Sequence, residues 1–279
     1  MKRKTTLFLA IVLAVIALVC VALGFTDNAK EANVKIVRGI VASDTILSGM
    51  ITALLPPHRY SVESILPPGQ CPGHYDVKLS DIEKAKKADL IVSFRGMSFL
   101  DKDVMGGKSQ LLVDAGDRNW MAPNSYIYGL SHLAGELSKR FPKDKNEIMK
   151  RKEDAIHKVK ARANLLIKKV KQAGVSGKPI ICSTMQREPI EWMGFRVVGE
   201  YGRPEAISAK DVVRLSKIGK DQNAIAIVDN LQSGPDTGKG IAETLGVPHI
   251  VLTNFPSDKG YLTTLEENVN IVFAAVTRK

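Results

Sequence analysis

Cysteine is nearly absent, with three residues in 279, at positions 20, 71 and 182. Cys20 lies inside the apolar N-terminal run, so only Cys71 and Cys182 belong to the body of the chain and no disulfide framework can hold the fold. Those two thiols either pair, stay free or bind something. Histidine is also scarce, at five residues, and no Ser/His/Asp set or carboxylate pair stands out as a catalytic constellation. A phosphate loop is missing too. In "GPDTGKG" three residues separate Gly234 from Gly238 and Gly240 follows Lys239, where that motif needs four residues and then a hydroxyl side chain. Long apolar runs are absent apart from one, Leu7 to Phe25.

That run follows Met1-Lys2-Arg3-Lys4 and gives way to Thr26-Asp27-Asn28, the order of a basic start, an apolar core and a polar exit that marks export. At about the 18-residue minimum for spanning a bilayer it serves equally as an uncleaved anchor. Residues 1–25 are therefore read as a signal peptide or N-terminal anchor. The protein is expected to be exported, either periplasmic or held on the outer face of the cytoplasmic membrane. Lipidation at Cys20 would place Val19 before the acylated residue, a poor match to the small residue required there. The formal charge of +11 resides largely in the lysine-rich stretch from Lys139 to Lys171, which also carries acidic residues. Such mixing reads as a solvated helix face and argues against nucleic acid.

Short apolar runs bounded by Gly, Pro, Ser or Asp recur along the chain and read as buried strands. In the first half these are "VKIVRGIVA" from Val34, "SVESILP" from Ser61, "ADLIVSF" from Ala88 and "QLLVDAG" from Gln110. In the second half they are "KPIICST" from Lys178, "FRVVGEY" from Phe195, "AIAIVDN" from Ala224 and "PHIVLTNF" from Pro248. Helical spacing lies between them, as in "SDTILSGMITALLP", with Ser43 as the expected N-cap and Pro56-Pro57 as the stop. A second helix is expected to open at Ser80, and further ones after Ser208, after Gly234 and toward the C-terminus. Strands alternating with helices indicate parallel sheets with crossover connections. The fold class is α/β with two lobes, each a mostly parallel sheet flanked by helices, over residues 34–142 and 175–279. Between them, residues 143–174 contain no Gly or Pro before Gly174, and their apolar residues follow the 3.6-residue period. This is one long interlobe helix, roughly 45 Å at 1.5 Å per residue.

Parallel sheets bind ligands at the carboxyl ends of their strands, which singles out four loops: "PPGQCPGHYD" with Cys71 and His74, "WMAPNSYIYG", "CSTMQRE" and "DNLQSG". The stretch "ILPPGQCPGHYDVKLSDIEKAKKADLIVSFRGMSFLD" resembles the first-lobe signature of the solute receptors of zinc and manganese ABC importers, and "IAETLGVPHIVLTN" is similar to that family's late helix and strand. The resemblance covers essentially the whole chain after the N-terminal segment. It implies a C-clamp with a divalent cation between the lobes, held typically by three His and one Asp or Glu, an ABC permease and its ATPase as partners, and a monomeric receptor with no organic cofactor and no enzymatic step.

The departures from the pattern fall on the ligands. His74 matches the first histidine, but Asn124 stands where the second is expected. Met185 or Gln186 stands at the third position, and Asn230, with Asp229 beside it, where a carboxylate is expected. The expected site is thus His74, Cys71, Asn124, Gln186 and Asn230, with Met185, Asp229, Arg187 and Arg203 as further candidates. Zn, Mn or Fe are the implied cargo. Cys71, His74 and Met185 together would favour Cu(I) or zinc with a thiolate, since soft sulfur selects those ions. His74, Asn124, Gln186 and Asn230 would instead make a neutral pocket for a chelated metal or polar organic ligand, with Arg187 and Arg203 available to a carboxylate or phosphate. An adhesin on the same scaffold, or a Cys71 nucleophile beside His74, are the competing functions. His58, His132, His157 and His249 are read as structural.

Overall fold

Period-two alternation sorts the strand residues onto two faces of each sheet. In β1 (Arg38–Ala42), Ile40 and Ala42 enter one buried cluster and Val41 another. In β3 (Leu90–Phe94), Leu90, Val92 and Phe94 join the first cluster and Ile91 the second. The same alternation separates Ile180 and Cys182 from Ile181 in β5 (Pro179–Ser183). Both faces of both sheets are thus covered, which is why these strands read as continuous apolar runs. The structure, a computed structural model, describes residues 37–97 and 109–277. The N-terminal segment read as a signal or anchor lies outside the described residues.

With β2 (Tyr60–Ser64) and β4 (Gln110–Val113), the first sheet has the order β2-β1-β3-β4, all parallel. The second repeats it as β6-β5-β7-β8, with β6 (Arg196–Tyr201), β7 (Ile227–Asn230) and β8 (His249–Leu252). All eight expected strands form. The helices are α1 (Thr45–Leu54), α2 (Leu79–Lys87), α3 (Pro123–Arg140), α4 (Lys145–Gln172), α5 (Arg187–Trp192), α6 (Ala209–Asp221), α7 (Lys239–Leu245) and α8 (Tyr261–Thr277). None of the described helices is long and apolar enough to cross a membrane.

Three local expectations are corrected. The cap of α1 is Asp44, not Ser43: its Oδ1 accepts the N–H groups of Ile46 and Leu47 at 2.9 and 3.0 Å, while the Ser43 hydroxyl donates to Oδ2 at 2.6 Å. Burial pushes the Asp44 carboxyl up, against those three hydrogen bonds. Helix α2 begins one residue early, at Leu79, with the Lys78 N–H donating to Asp81 at 3.0 Å. The stretch "PNSYIYG", expected as a loop, opens α3, because proline in a first turn loses no hydrogen bond and its fixed φ suits a helix.

The linking helix α4 runs 28 residues, about 42 Å at 1.5 Å per residue. It buries Ile148, Val159, Ala163, Leu166 and Val170 and packs against α1, α3 and α8. Because that one apolar stripe serves both halves, the inner faces of the two sheets share a single core cluster, and each outer face keeps a smaller one. From Val37 onward the chain forms one compact unit. The start of α4 is fixed by Asp144, which is buried, accepts the Tyr60 hydroxyl at 2.5 Å and pairs with Arg59. Arg59 also reaches Glu147 at 2.6 Å.

Candidate ligand-binding cleft

The carboxyl ends of both sheets open on one cavity of about 530 Å3. From the first half it is lined by Cys71 and Pro72 after β2, Phe94 at the end of β3 and residues 115–120 after β4. From the second half come Thr184 and Met185 after β5, Arg203 after β6, Asn230 and Gln232 at β7, and Asn254 and Phe255 after β8. Its apolar part is an edge-to-face pair, Trp120 and Phe94, with ring centroids 4.8 Å apart at 86°. Both rings are buried. Trp120 is held in turn by its Nε1–H, which donates to the Ala115 carbonyl at 3.4 Å.

The expected site residues divide into three groups. Cys71, Met185, Arg187, Arg203 and Asn230 line the cavity. Gln186 and Asp229 are fully buried and are not among its lining residues. His74 and Asn124 are exposed and also stand outside the lining. His74 closes the 3-10 turn Pro72–His74, its N–H donating to the Cys71 carbonyl at 3.1 Å. Asn124 occupies the exposed side of the first turn of α3. Both cysteines are free thiols, Cys71 half-buried and Cys182 inside the core, where burial pushes the Cys182 thiol far up.

Where metal ligands were expected, the second half builds a network of amides. Gln186 Nε2 donates to Asn230 Oδ1 at 2.9 Å, to Asn254 Oδ1 at 2.7 Å and to the Leu252 carbonyl at 3.3 Å. Asn230 donates to Ser233 at 2.8 Å, and Gln232 accepts from the Asn254 N–H at 2.9 Å. These side chains are neutral and spend most of their polar atoms on one another, with the buried Gln186 Oε1 left without a hydrogen-bond partner. Asp229 is likewise occupied: it accepts the Tyr201 hydroxyl at 2.7 Å and the Gly238 N–H at 2.9 Å, and it contacts His249 Nε2 at 2.7 Å. Burial, followed by the neighbouring Asp229 carboxylate, pushes the Tyr201 phenol far up. The apparent phosphate loop is explained here as well. A Cβ at Gly238 would lie 2.3 Å from the Tyr201 hydroxyl oxygen, so the glycine permits a close approach. Among the described residues no three His, Cys, Asp or Glu side chains cluster closely enough to hold a metal ion.

Two residues that the sequence reading missed join the halves. Asn119, after β4, donates through Nδ2 to Asn254 Oδ1 at 2.9 Å and to the Met185 carbonyl, while its Oδ1 accepts the Met121 N–H at 2.8 Å. Glu188, in α5, accepts the Asn119 N–H at 2.6 Å and the Ser125 hydroxyl. Helix α3 has no side-chain cap and no acidic residue in its first turn. Its N-terminus, which favours negative charge, receives a carboxylate from the opposite half. Beside this junction Tyr126 and Tyr261 stack at 3.5 Å, and the Tyr261 hydroxyl donates to the Met121 carbonyl at 3.1 Å. The only local hint of Asn119 is an Asx turn before "WMAP"; Glu188 sits in an ordinary short helix.

The family model described as "Zinc-uptake complex component A periplasmic" matches residues 40–275. Solved structures agree in fold. One of ZnuA is 14% identical with a TM-score of 0.71, covering 86% of this chain and 99% of that one. A Cd-bound periplasmic metal binding protein from Candidatus Liberibacter asiaticus is 13% identical, with a TM-score of 0.72 over 86% of this chain and 99% of that one. The laminin binding protein Lmb of Streptococcus agalactiae, described as bifunctional with adhesin and metal transporting activity, is 17% identical, with a TM-score of 0.67 over 86% and 99%. No curated protein matches the chain in sequence.

Proposed function

Because the chain belongs to the periplasmic zinc-uptake family, the extracytoplasmic metal-binding receptors of ABC importers, we propose that it captures its metal as a complex with an organic ligand and hands that complex to a membrane permease driven by an ATPase. The observation that carries this reading is the amide network of Gln186, Asn230 and Asn254 where charged or imidazole ligands were expected. A bare zinc ion needs three or four donors at about 2.0 to 2.3 Å, drawn from imidazole, thiolate and carboxylate. Neutral amides already bonded to each other are poor substitutes. A cavity of about 530 Å3 is instead of the size that holds small organic ligands, roughly 300 to 1,000 Å3. Its mixture of aromatic floor and amide walls suits a ligand with both apolar and polar parts.

Zinc, manganese and iron are the metals proposed as cargo, carried outside the cytoplasm by a monomer. The halves are tied through Asn119 and Glu188 on one side and share the core beneath α4. Capture is therefore a small tilt or loop adjustment rather than a wide closure. The test is elemental and mass analysis of protein purified without a histidine tag, followed by equilibrium dialysis against aquo Zn2+ and Mn2+. The expected result is no tight, stoichiometric binding of either aquo ion, and retention of metal only together with an organic molecule. Stoichiometric sub-micromolar binding of aquo zinc in the absence of any chelator would overturn the proposal.

A further inference from the structure

The charges around the cleft are not equally available. Arg187 is spent on two glutamates, with Nε 3.1 Å from Glu191 and Nη1 2.7 Å from Glu200. Arg118 lies over the Tyr128 ring at 4.1 Å. Both Glu188 oxygens are taken by the first half. Among the described residues, Arg203 has neither an ion-pair partner nor a hydrogen-bond acceptor, and Asp117, on the β4 loop, is exposed and forms no ion pair or side-chain hydrogen bond. The cleft therefore presents one uncommitted guanidinium from the second half and one uncommitted carboxylate from the first.

The backbone beside Arg203 is well fixed, although its side chain is exposed. Arg203 precedes Pro204, which starts a 3-10 turn, and the chain at Gly234 presses on that proline: a Cβ there would lie 2.8 Å from Pro204 Cδ. Gly234 has φ 145°, a conformation that only glycine adopts without strain. The guanidinium reaches across the mouth to the first half, since a Cβ at Gly73 would lie 3.3 Å from Arg203 Nη1 and 3.8 Å from Cys71 Sγ. An exposed planar fork at the edge of a cavity and without a protein acceptor is suited to a carboxylate taken in bidentate fashion.

We infer that the ligand is a carboxylate-bearing chelate whose carboxylate is read by Arg203 and whose positive side, the metal centre, faces Asp117. The inference rests on the chelate reading above. It makes Arg203 a specificity-determining residue and a carboxylate placed opposite the metal centre the feature selected.

The test is isothermal titration with zinc complexes of defined charge: zinc nitrilotriacetate and zinc citrate, which carry carboxylates, and zinc cyclen, which is cationic and carries none. The carboxylate complexes are expected to bind and the cyclen complex to fail. Arg203→Gln should weaken the carboxylate complexes by about tenfold or more, and Arg203→Lys should recover part of the loss. Arg196→Gln, at the far end of β6, should change nothing. Equal binding of cyclen and nitrilotriacetate complexes, or an unchanged Arg203→Gln variant, overturns the carboxylate inference while leaving the chelate reading standing. If aquo zinc binds and no chelate does, the chelate reading itself fails, and if nothing binds, both fall.

Discussion

Glu188→Ala is expected to lower stability by about 3 kcal/mol and to weaken capture of any cleft ligand at the same time. Hydrogen bonds to a charged group contribute about 1.5 to 3 kcal/mol each, and this carboxylate accepts two, from the Asn119 N–H and the Ser125 hydroxyl. Its loss also removes the acid that sits at the N-terminus of α3, worth a further few tenths to about 1 kcal/mol. Asn119 would then keep its bonds to Asn254 and Met185 but lose the anchor of its own backbone, and the β4 loop lines the cleft. Glu188→Gln should recover about half of the stability, because one amide oxygen still accepts. Urea denaturation, read as a change in midpoint at constant slope, and titration with a zinc chelate check the two effects together.

Asp144→Ala should cost about 2 to 3 kcal/mol and leave ligand affinity unchanged. The buried Asp144 carboxylate accepts the Tyr60 hydroxyl, a hydrogen bond to a charged group that contributes about 1.5 to 3 kcal/mol, while its pair with the partly exposed Arg59, which keeps Glu147, adds no more than about 1 kcal/mol. Burial, with that carboxylate beside it, pushes the Tyr60 phenol far up. Glu147→Ala, on the same arginine but half exposed, should cost no more than about 1 kcal/mol. The cluster lies at the amino ends of the strands, where Tyr60 opens β2, away from the cleft. The contrast between Glu188 and Asp144 therefore separates a contact that shapes the cleft from one that only seats α4. Denaturation midpoints for the three variants, with chelate titrations on each, decide it.

The fold was legible because its signals are local. Val- and Ile-rich runs closed by Gly, Pro or Asp marked all eight strands, and a long interval without Gly or Pro marked α4. Even the cap error at α1 is one residue wide, since Ser43 and Asp44 are both good caps and the buried geometry chose the carboxylate. The cleft was legible only as four loops. Which side chain in each loop faces it depends on turn geometry: a 3-10 turn leaves His74 exposed while Cys71, three residues earlier, lines the cavity. Asn119, Glu188, Gln232 and Asn254 escaped because their partners lie up to 135 residues away, and no spacing records such contacts. The departure of the ligand positions from the family pattern was visible from the start; that the amides bond to one another was not.

The central claim is that the metal keeps its own small-molecule ligands inside the cleft. X-ray absorption at the zinc edge, on protein loaded with zinc nitrilotriacetate, tests it directly. The account expects a first shell indistinguishable from that of the complex in buffer, with no imidazole back-scattering. A shell containing protein imidazole or thiolate would contradict it.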